Sequence, residues 1–275
     1  MLFRSALAPG GLGRAARAIM TTDTFAKLAS ARFEVAGRPI HVVGIAKGSG
    51  MIEPDMATML DFLTTDASIS PELLQKVLSS ANSKSFNRIT IDGDMSTNDT
   101  VLILANGLAG NGKLGATDLE IFQSALNHVC LELAKMIVRD GEGITRVVTV
   151  RVKGAKTFAD ADAAARAVGN SALVKTSWNG GDPNWGRIID ALGYSTAKVV
   201  EGKVDIAYNA PGEKKLVYSL KKGRPTRTAF KTLCDAVAPA EFELHINLNL
   251  GKAESVLYAA DLSDRKSTRL NSSHW

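Results

Sequence analysis

Between positions 33 and 43, apolar residues fall on both sides of Gly37-Arg38-Pro39: Phe33 and Val35 before it, Ile40, Val42 and Val43 after it. Side chains on a strand point to opposite faces in turn, so two alternating runs joined by turn residues predict a β-hairpin. A hairpin commits this part of the chain to an antiparallel sheet with one face to be covered. Helical periodicity supplies the cover. Ser70 reads as an N-cap and Pro71 as the first helical residue, with Leu73, Leu74, Val77 and Leu78 on one face. After Asp118 a longer helix carries Leu119, Phe122, Leu126, Val129, Leu133, Met136 and Ile137, and it ends at Asp140-Gly141-Glu142-Gly143. Residues 59–63 form an apolar stretch, and strand signals fall at 88–92 and at 101–105, the last read as a buried strand. Further strands are expected at 145–152, 203–208, 216–220, 241–248 and 255–260, with helices over 159–168, from about Trp185, and near 228–237. Strands and helices are interleaved and several strands form hairpins. This predicts an α+β fold, a layered sheet-and-helix sandwich, over a doubly wound parallel sheet.

Of the 275 residues, 45% are apolar and 22% charged, enough apolar surface to exclude a wholly disordered chain. No run approaches the roughly 20 apolar residues of a membrane helix. Cys130 and Cys234 are far apart, which gives neither a disulfide framework nor a metal knuckle and suits a reducing compartment. The net charge of +5 is carried by the ends: Arg4, Arg14 and Arg17 without an acid in the first 20 residues, and Arg265, Lys266 and Arg269 against Asp264 in the last 12. The body between is neutral, whereas a nucleic-acid binder carries its excess on a folded face. The acid-free start, rich in Ala, Gly and Arg, reads equally as the remnant of a transit peptide or as the replacement of a longer upstream region. Residues 264–275 are polar and aperiodic; they are expected to be disordered and resemble a cloning adaptor.

Several motifs fail on their context. Gly11-Leu12-Gly13-Arg14-Ala15-Ala16 fits a dinucleotide fingerprint, but Pro9 stands where the preceding strand must end. In Gly107-Leu108-Ala109-Gly110-Asn111-Gly112-Lys113-Leu114, Leu114 replaces the hydroxyl of a phosphate loop and Gly115 spoils the helix start. Asp92-Gly93-Asp94-Met95-Ser96 opens like a calcium loop, but Thr97 and Ile103 occupy the glycine and glutamate positions. His41, His128, His245 and His274 show no zinc spacing. No metal or cofactor is therefore expected.

One loop carries chemistry. Lys47-Gly48-Ser49-Gly50-Met51-Ile52 runs through Glu53, Pro54 and Asp55 into Met56-Ala57-Thr58. A threonine after a glycine-rich loop is ordinarily a helix cap. Here small Ala57 leaves the Ala57–Thr58 peptide accessible in an awkward segment. A strained X–Thr bond can be attacked by its own hydroxyl, leaving an ester that water cleaves. The new chain then begins at Thr58, whose free amine (ordinary pKa about 7.7–8.0) serves as base for its own Oγ.

The sequence resembles the ornithine acetyltransferase family, the bifunctional glutamate N-acetyltransferases of arginine biosynthesis. Besides the Lys47–Ile52 and Met56-Ala57-Thr58-Met59-Leu60 segments, the resemblance rests on ordered matches over roughly residues 14–263. They are Ala18-Ile19-Met20-Thr21-Thr22-Asp23-Thr24, Ser85-Phe86-Asn87, Asp92-Gly93-Asp94, Ser96-Thr97-Asn98-Asp99-Thr100, Asp140-Gly141-Glu142-Gly143 and Asp182-Pro183-Asn184-Trp185-Gly186-Arg187-Ile188. The resemblance implies an autoproteolytic N-terminal-nucleophile fold cut between Ala57 and Thr58. Residues 1–57 are then the end of an α chain, with 1–13 transit-like or foreign, and 58–263 are the β chain. It further implies that Thr58 takes acetyl from N-acetylornithine as an ester and passes it to glutamate, with acetyl-CoA an additional donor in some members. Thr21, Lys47, Thr58 and Glu142 bind substrate, Lys47 facing a carboxylate and Glu142 an ammonium. The implied assembly is α₂β₂, in the cytoplasm of a bacterium or the mitochondrion or plastid of a eukaryote, with no nucleic-acid or membrane partner.

Departures accompany the likeness. The upstream Thr-Gly pair of the family's oxyanion hole has no counterpart here, nor have the substrate-binding Asn and Thr or Ser of its far end. Glu53 and Asp55 flank Pro54, and Met95 stands where threonine is usual. Two alternatives therefore stay open: an inactive fragment or pseudoenzyme, and an aminopeptidase-like hydrolase of the same fold. In Asp182–Ile188, Asp182 reads as a helix cap, and Trp185 and Arg187 read as structural.

Overall fold

The computed structural model describes residues 10–35, 37–53, 59–95 and 98–263. The expected cleavage site, Ala57 and Thr58, lies outside them, as does the adaptor-like tail 264–275. The chain forms two compact units. The first is Met1–Ile89 with Asp94–Asp140, and the second is Thr90–Gly93 with Gly141–Trp275. No helix among the described residues is long and apolar enough to cross a membrane.

The first unit begins with helix α1 (Leu12–Ala18), which the basic, acid-free composition of this stretch conceals and whose Ala16 is buried. The expected hairpin follows as β1 (Lys27–Val35) and β2 (Arg38–Lys47), antiparallel from Lys27↔Ala46 to Val35↔Arg38. Strand β3 (Leu60–Thr65) pairs antiparallel with β2, and β5 (Thr100–Ala105) pairs parallel with β3. The order in the sheet is β1-β2-β3-β5. Helix α2 (Pro71–Lys84) is capped as expected, the Ser70 hydroxyl accepting from the Leu73 N–H at 3.3 Å. Helix α3 (Ala116–Arg139) packs on β1 and β2, and α2 packs on α3. Gly44 sets how closely α3 approaches: a Cβ there would stand 2.5 Å from Leu63 Cδ2 and 2.7 Å from Leu133 Cδ1. Strand β5 corrects one expectation. Only Ile103 is buried, while Leu102 and Leu104 are 43% and 59% exposed. An edge strand needs no covered face, and an unbroken apolar run cannot reveal which position in the sheet it will take.

The second unit is built on a seven-stranded sheet ordered β4-β11-β6-β10-β7-β8-β9. Its strands are β4 (Ile89–Thr90), β6 (Val147–Ala155), β7 (Asp205–Asn209), β8 (Val217–Lys221), β9 (Arg224–Pro225), β10 (Glu241–Asn247) and β11 (Ala253–Ala260). The 88–92 strand signal thus shrinks to two residues. Only the β10–β6 pairing is parallel among those whose register is known. Helix α4 (Phe158–Asn170) packs on β11 and β6, α5 (Ala172–Asn179) and α6 (Trp185–Tyr194) join α4, and α7 (Phe230–Val237) packs on β7 and β8. Val148, Val150, Phe242, Leu244, Leu257 and Trp178 form the centre of this core, Trp178 meeting Phe242 edge-on at 6.4 Å. Both units mix helices with sheets that are mainly antiparallel, which is the α+β class read from the sequence.

Candidate active site

Strand β2 ends at buried Lys47, where the backbone leaves ordinary geometry. Gly48 has φ +150°, and Met51 has φ +58°, a value unusual for a residue with a side chain. Such strain costs on the order of 1–3 kcal/mol and persists only where the surroundings impose it. A buried ionic cluster holds the start of the loop at Gly48. Lys27, fully enclosed on β1, donates to Asp23 at 2.6 Å and to Asp140 at 2.5 Å. The Asp23 carboxylate also accepts the Gly48 N–H at 2.7 Å and the Thr21 N–H at 3.1 Å. Burial alone would push Asp23 up, but the bonds from Gly48, Lys27 and Thr21 outweigh it and hold the carboxyl below its ordinary value. Asp140, at the end of α3, accepts the Thr24 N–H and hydroxyl. Thr22 Oγ1 and buried Ser49 Oγ share a hydrogen bond of 2.6 Å. The segment around Thr21 and the glycine-rich loop are thereby tied to one another. The Thr21 side chain is exposed.

The second half of the site is the start of β3. Since β3 lies between β2 and β5, Lys47 at the end of β2 and Asp99 just before β5 stand on either side of it, Lys47 opposite Leu60 and Leu60 opposite Thr100. Met59 is held through both of its polar groups: its N–H donates to Asp99 Oδ1 at 2.6 Å, and its carbonyl accepts the Thr100 N–H at 3.1 Å. Met59 is the residue that follows Thr58, so the bond to Asp99 is made by the amide of the Thr58–Met59 peptide. Burial pushes the Asp99 carboxyl up to about 6, although the Met59 N–H and the charge of Lys47 both pull it down. A cavity of about 300 Å³ adjoins this point, its wall including Ile52, Glu53, Met59, Phe86, Asn87 and Asp99. Further along β3, Asp61 is fully buried, neither carboxylate oxygen has a hydrogen-bond partner among the described residues, and burial drives the carboxyl well above its ordinary range.

Thus Thr21 and Lys47 are brought together through the Asp23 cluster and the loop. Glu142 belongs to the second unit, in the turn before Gly143 (φ +69°). That turn is anchored by the Ser263 hydroxyl on the Gly143 carbonyl, while neighbouring Thr145 is held by Asp261 through its N–H (2.8 Å) and hydroxyl (2.5 Å). In the Asp182–Ile188 segment the cap of α6 is Asn184, which accepts the Arg187 N–H at 3.0 Å. Asp182 instead receives the Asn184 amide at 2.9 Å, because Asn184 immediately precedes the helix. Arg187 donates to the Leu173 carbonyl and the Thr176 hydroxyl, joining α6 to α5, and Trp185 packs against the core, as the structural reading expects. Sequence reasoning assigned no role to Lys27, Asp23, Asp140, Asp61 or Asp99. Asp23, Asp99 and Asp140 sit within the matched motifs and were open to notice; nothing marks Lys27 or Asp61. Among the described residues no group of three or more His, Cys, Asp or Glu is arranged to hold a metal.

The fold and the site define a class: an α+β protein with a glycine-rich loop held by the buried Lys27–Asp23–Asp140 cluster, beside a β-strand start flanked by Lys47 and Asp99. Comparison with known proteins narrows it. The ArgJ family pattern matches residues 3–273, and the chain belongs to the ArgJ family. It is 46% identical over 261 residues to the arginine biosynthesis bifunctional protein ArgJ of Symbiobacterium thermophilum, covering 94% of this chain and 63% of that protein. It is 48% identical over 255 residues to the glutamate N-acetyltransferase of Methanocaldococcus jannaschii, covering 90% and 62%. The chain therefore spans a little under two thirds of the length of these relatives. The crystal structure of the Bacillus halodurans ArgJ protein superposes with a TM-score of 0.71 at 39% identity, over 78% of this chain and 98% of that one.

Proposed function

We propose that the chain is an autoproteolytic acetyltransferase that moves acetyl from N-acetylornithine to glutamate through Thr58, with acetyl-CoA a further donor. The observation that carries this reading is the Lys47–Asp99 bracket around Met59, one residue past Thr58, in a chain of the ArgJ family. In maturation, Thr58 Oγ attacks the Ala57 carbonyl carbon. The Ala57–Thr58 C–N bond breaks, the nitrogen takes the proton, and an ester remains on Oγ until water cleaves it. The pieces 1–57 and 58–263 stay joined, because β2 before the cut pairs with β3 after it from Val42↔Thr65 to Lys47↔Leu60. In turnover the Thr58 amine accepts the Oγ proton while Oγ attacks the acetyl carbonyl. Ornithine leaves with its nitrogen protonated, and the glutamate amine then takes the acetyl group from the ester. Lys47 offers a cation for a substrate carboxylate, Glu142 a carboxylate for an ammonium, and Thr21 a further polar contact. An α₂β₂ assembly of the two pieces follows from the same reading.

The test is intact-protein mass spectrometry beside Thr58→Ala, followed by acetyl transfer from N-acetylornithine to labelled glutamate. Two fragments meeting at Ala57–Thr58, absent from the variant, together with labelled N-acetylglutamate, are expected. Acetate released without an acceptor would favour a hydrolase, and an uncut, inactive chain would refute the reading.

A further inference from the structure

We propose that the free edge of β5 is where two copies of this chain join, their β5 strands pairing antiparallel across a two-fold axis at Ile103. This assigns the surface that joins the copies in the α₂β₂ assembly of the reading above, and it uses no residue of the acetyl-transfer site. Strand β5 closes one side of the first unit's sheet, and among the described residues no strand lies beyond it. Edge strands are ordinarily protected against further pairing by charges, proline or a bulge. Strand β1, at the opposite edge, has exposed Arg32 and Glu34. Strand β5, Thr-Val-Leu-Ile-Leu-Ala, has none of these devices. It carries no charge and no proline, its pairing with β3 is unbroken from Leu60↔Thr100 to Thr65↔Ala105, and it leaves Leu102 and Leu104 exposed. Like pairs with like here: β5 against β1 would set charges beside an apolar strand and would extend from copy to copy without closing, whereas β5 against β5 closes at two.

The backbone decides how the second copy fits. In a parallel ladder a residue turns both its N–H and its C=O to one neighbouring strand, and the next residue turns them away. The Thr100 N–H donates to the Met59 carbonyl and the Asn106 N–H to the Thr65 carbonyl, each at 3.1 Å. The even-numbered residues of β5 are thus the ones bonded to β3, and Val101, Ile103 and Ala105 turn their backbone groups to the free edge. Antiparallel pairing centred on Ile103 sets Ile103 opposite its own copy and Val101 opposite Ala105 of the second copy. Every outward N–H and C=O of these three residues then finds a partner. The same register sets Leu102 opposite Leu104 of the second copy. Those are non-hydrogen-bonded pairs, where side chains approach most closely, so the leucines that solvent now meets cover one another. A slip of one residue would oppose Ile103 to a residue whose backbone groups already serve β3, and would mix the two faces of the sheet. Asp99, just before the strand, lies toward Gly107 of the second copy, so no like charges are set together.

The experiment measures the mass of the full chain in solution by light scattering after size exclusion, and tests the register by cross-linking. The parent chain is expected at twice the mass of one copy. So is Leu108→Lys, which changes an exposed leucine outside the strand. Leu104→Lys, which adds the charge that β5 lacks, is expected at the mass of one copy, with its circular dichroism unchanged. For the register, copies carrying Leu102→Cys are mixed with copies carrying Leu104→Cys and oxidised. A disulfide between copies is expected, because Cα atoms in such a pair stand about 4.5 Å apart, within disulfide reach. Neither variant by itself is expected to cross-link, since in this register each of these residues lies about 8 Å from its own copy, beyond that reach. The parent, which keeps Cys234, gives the background. If Leu104→Lys does not fold, the cross-link decides. A monomeric parent would overturn the assignment, and so would a dimer that folded Leu104→Lys leaves intact. Disulfides equally abundant in the unmixed variants, or assembly that grows without closing, would overturn it too. No readout here involves acetyl transfer: an inactive chain that dimerises through β5 refutes the functional reading alone, and an active monomer refutes this assignment alone.

Discussion

Lys27 is the side chain whose removal tests the architecture of the site most directly. Its ammonium is completely buried between Asp23 and Asp140, whose side chains are 0% and 1% exposed. Lys27→Met keeps most of the volume and removes the charge. Two carboxylates then face one another without a cation. Asp23 keeps the Gly48 and Thr21 N–H groups, and Asp140 keeps Thr24, so neither is stripped of partners. Breaking a buried pair by removing one partner costs about 3–5 kcal/mol. At about 2–4 °C of melting temperature per kcal/mol, the expected loss is about 6–20 °C. The pH dependence follows from the sign of the Asp23 shift. In the wild type its carboxyl lies below the ordinary value, so its contribution is present above about pH 4 and lost as pH falls through the depressed value. In the variant the mutual repulsion of the carboxylates is relieved by protonation, so the deficit should shrink toward acid pH. Urea unfolding followed by circular dichroism at pH 4.5 and 7.5 reads both. A deficit below about 1 kcal/mol at pH 7.5, or one independent of pH, would refute the view that this buried cluster anchors the start of the loop.

Asp61→Leu should stabilise the protein at pH 7.5 by about 1–3 kcal/mol, since it removes a buried group with no hydrogen-bond partner among the described residues. Because burial raises the Asp61 carboxyl, its penalty grows as pH rises above the ordinary carboxylate range, so the gain should fade toward pH 4; a gain equal at both pH values would refute this. Gly44→Ala should cost about 1–3 kcal/mol in urea unfolding, because its methyl meets Leu63 and Leu133 inside contact distance. In the native protein a thiol reagent should modify half-buried Cys234 and leave Cys130, fully enclosed with its thiol pushed up by burial, for the denatured state; two equal fast thiols would contradict the packing of α3.

What the amino-acid sequence determined by itself is whatever depends on neighbours along the chain. The hairpin at Gly37, the Ser70 cap, the amphipathic α3 and the α+β class follow from local periodicity and turn chemistry, and the ordered motifs place the chain in its family. Thr21 and Lys47 could be named as candidate site residues for the same reason, since each sits inside a continuous motif. What only the tertiary structure decided depends on residues far apart in sequence. Strand β5 reads as a core strand and proves to be an edge, because its place in the sheet is set by pairing with β3. Nothing in the sequence marks Lys27, yet it is enclosed, because Asp140, far along the chain, joins nearby Asp23 to neutralise it. Asp99 was visible only as a letter in a motif until the parallel pairing of β5 with β3 brought its carboxyl to the amide that follows Thr58. A buried charge is stable only where the fold assembles its partners, and no local pattern records that assembly.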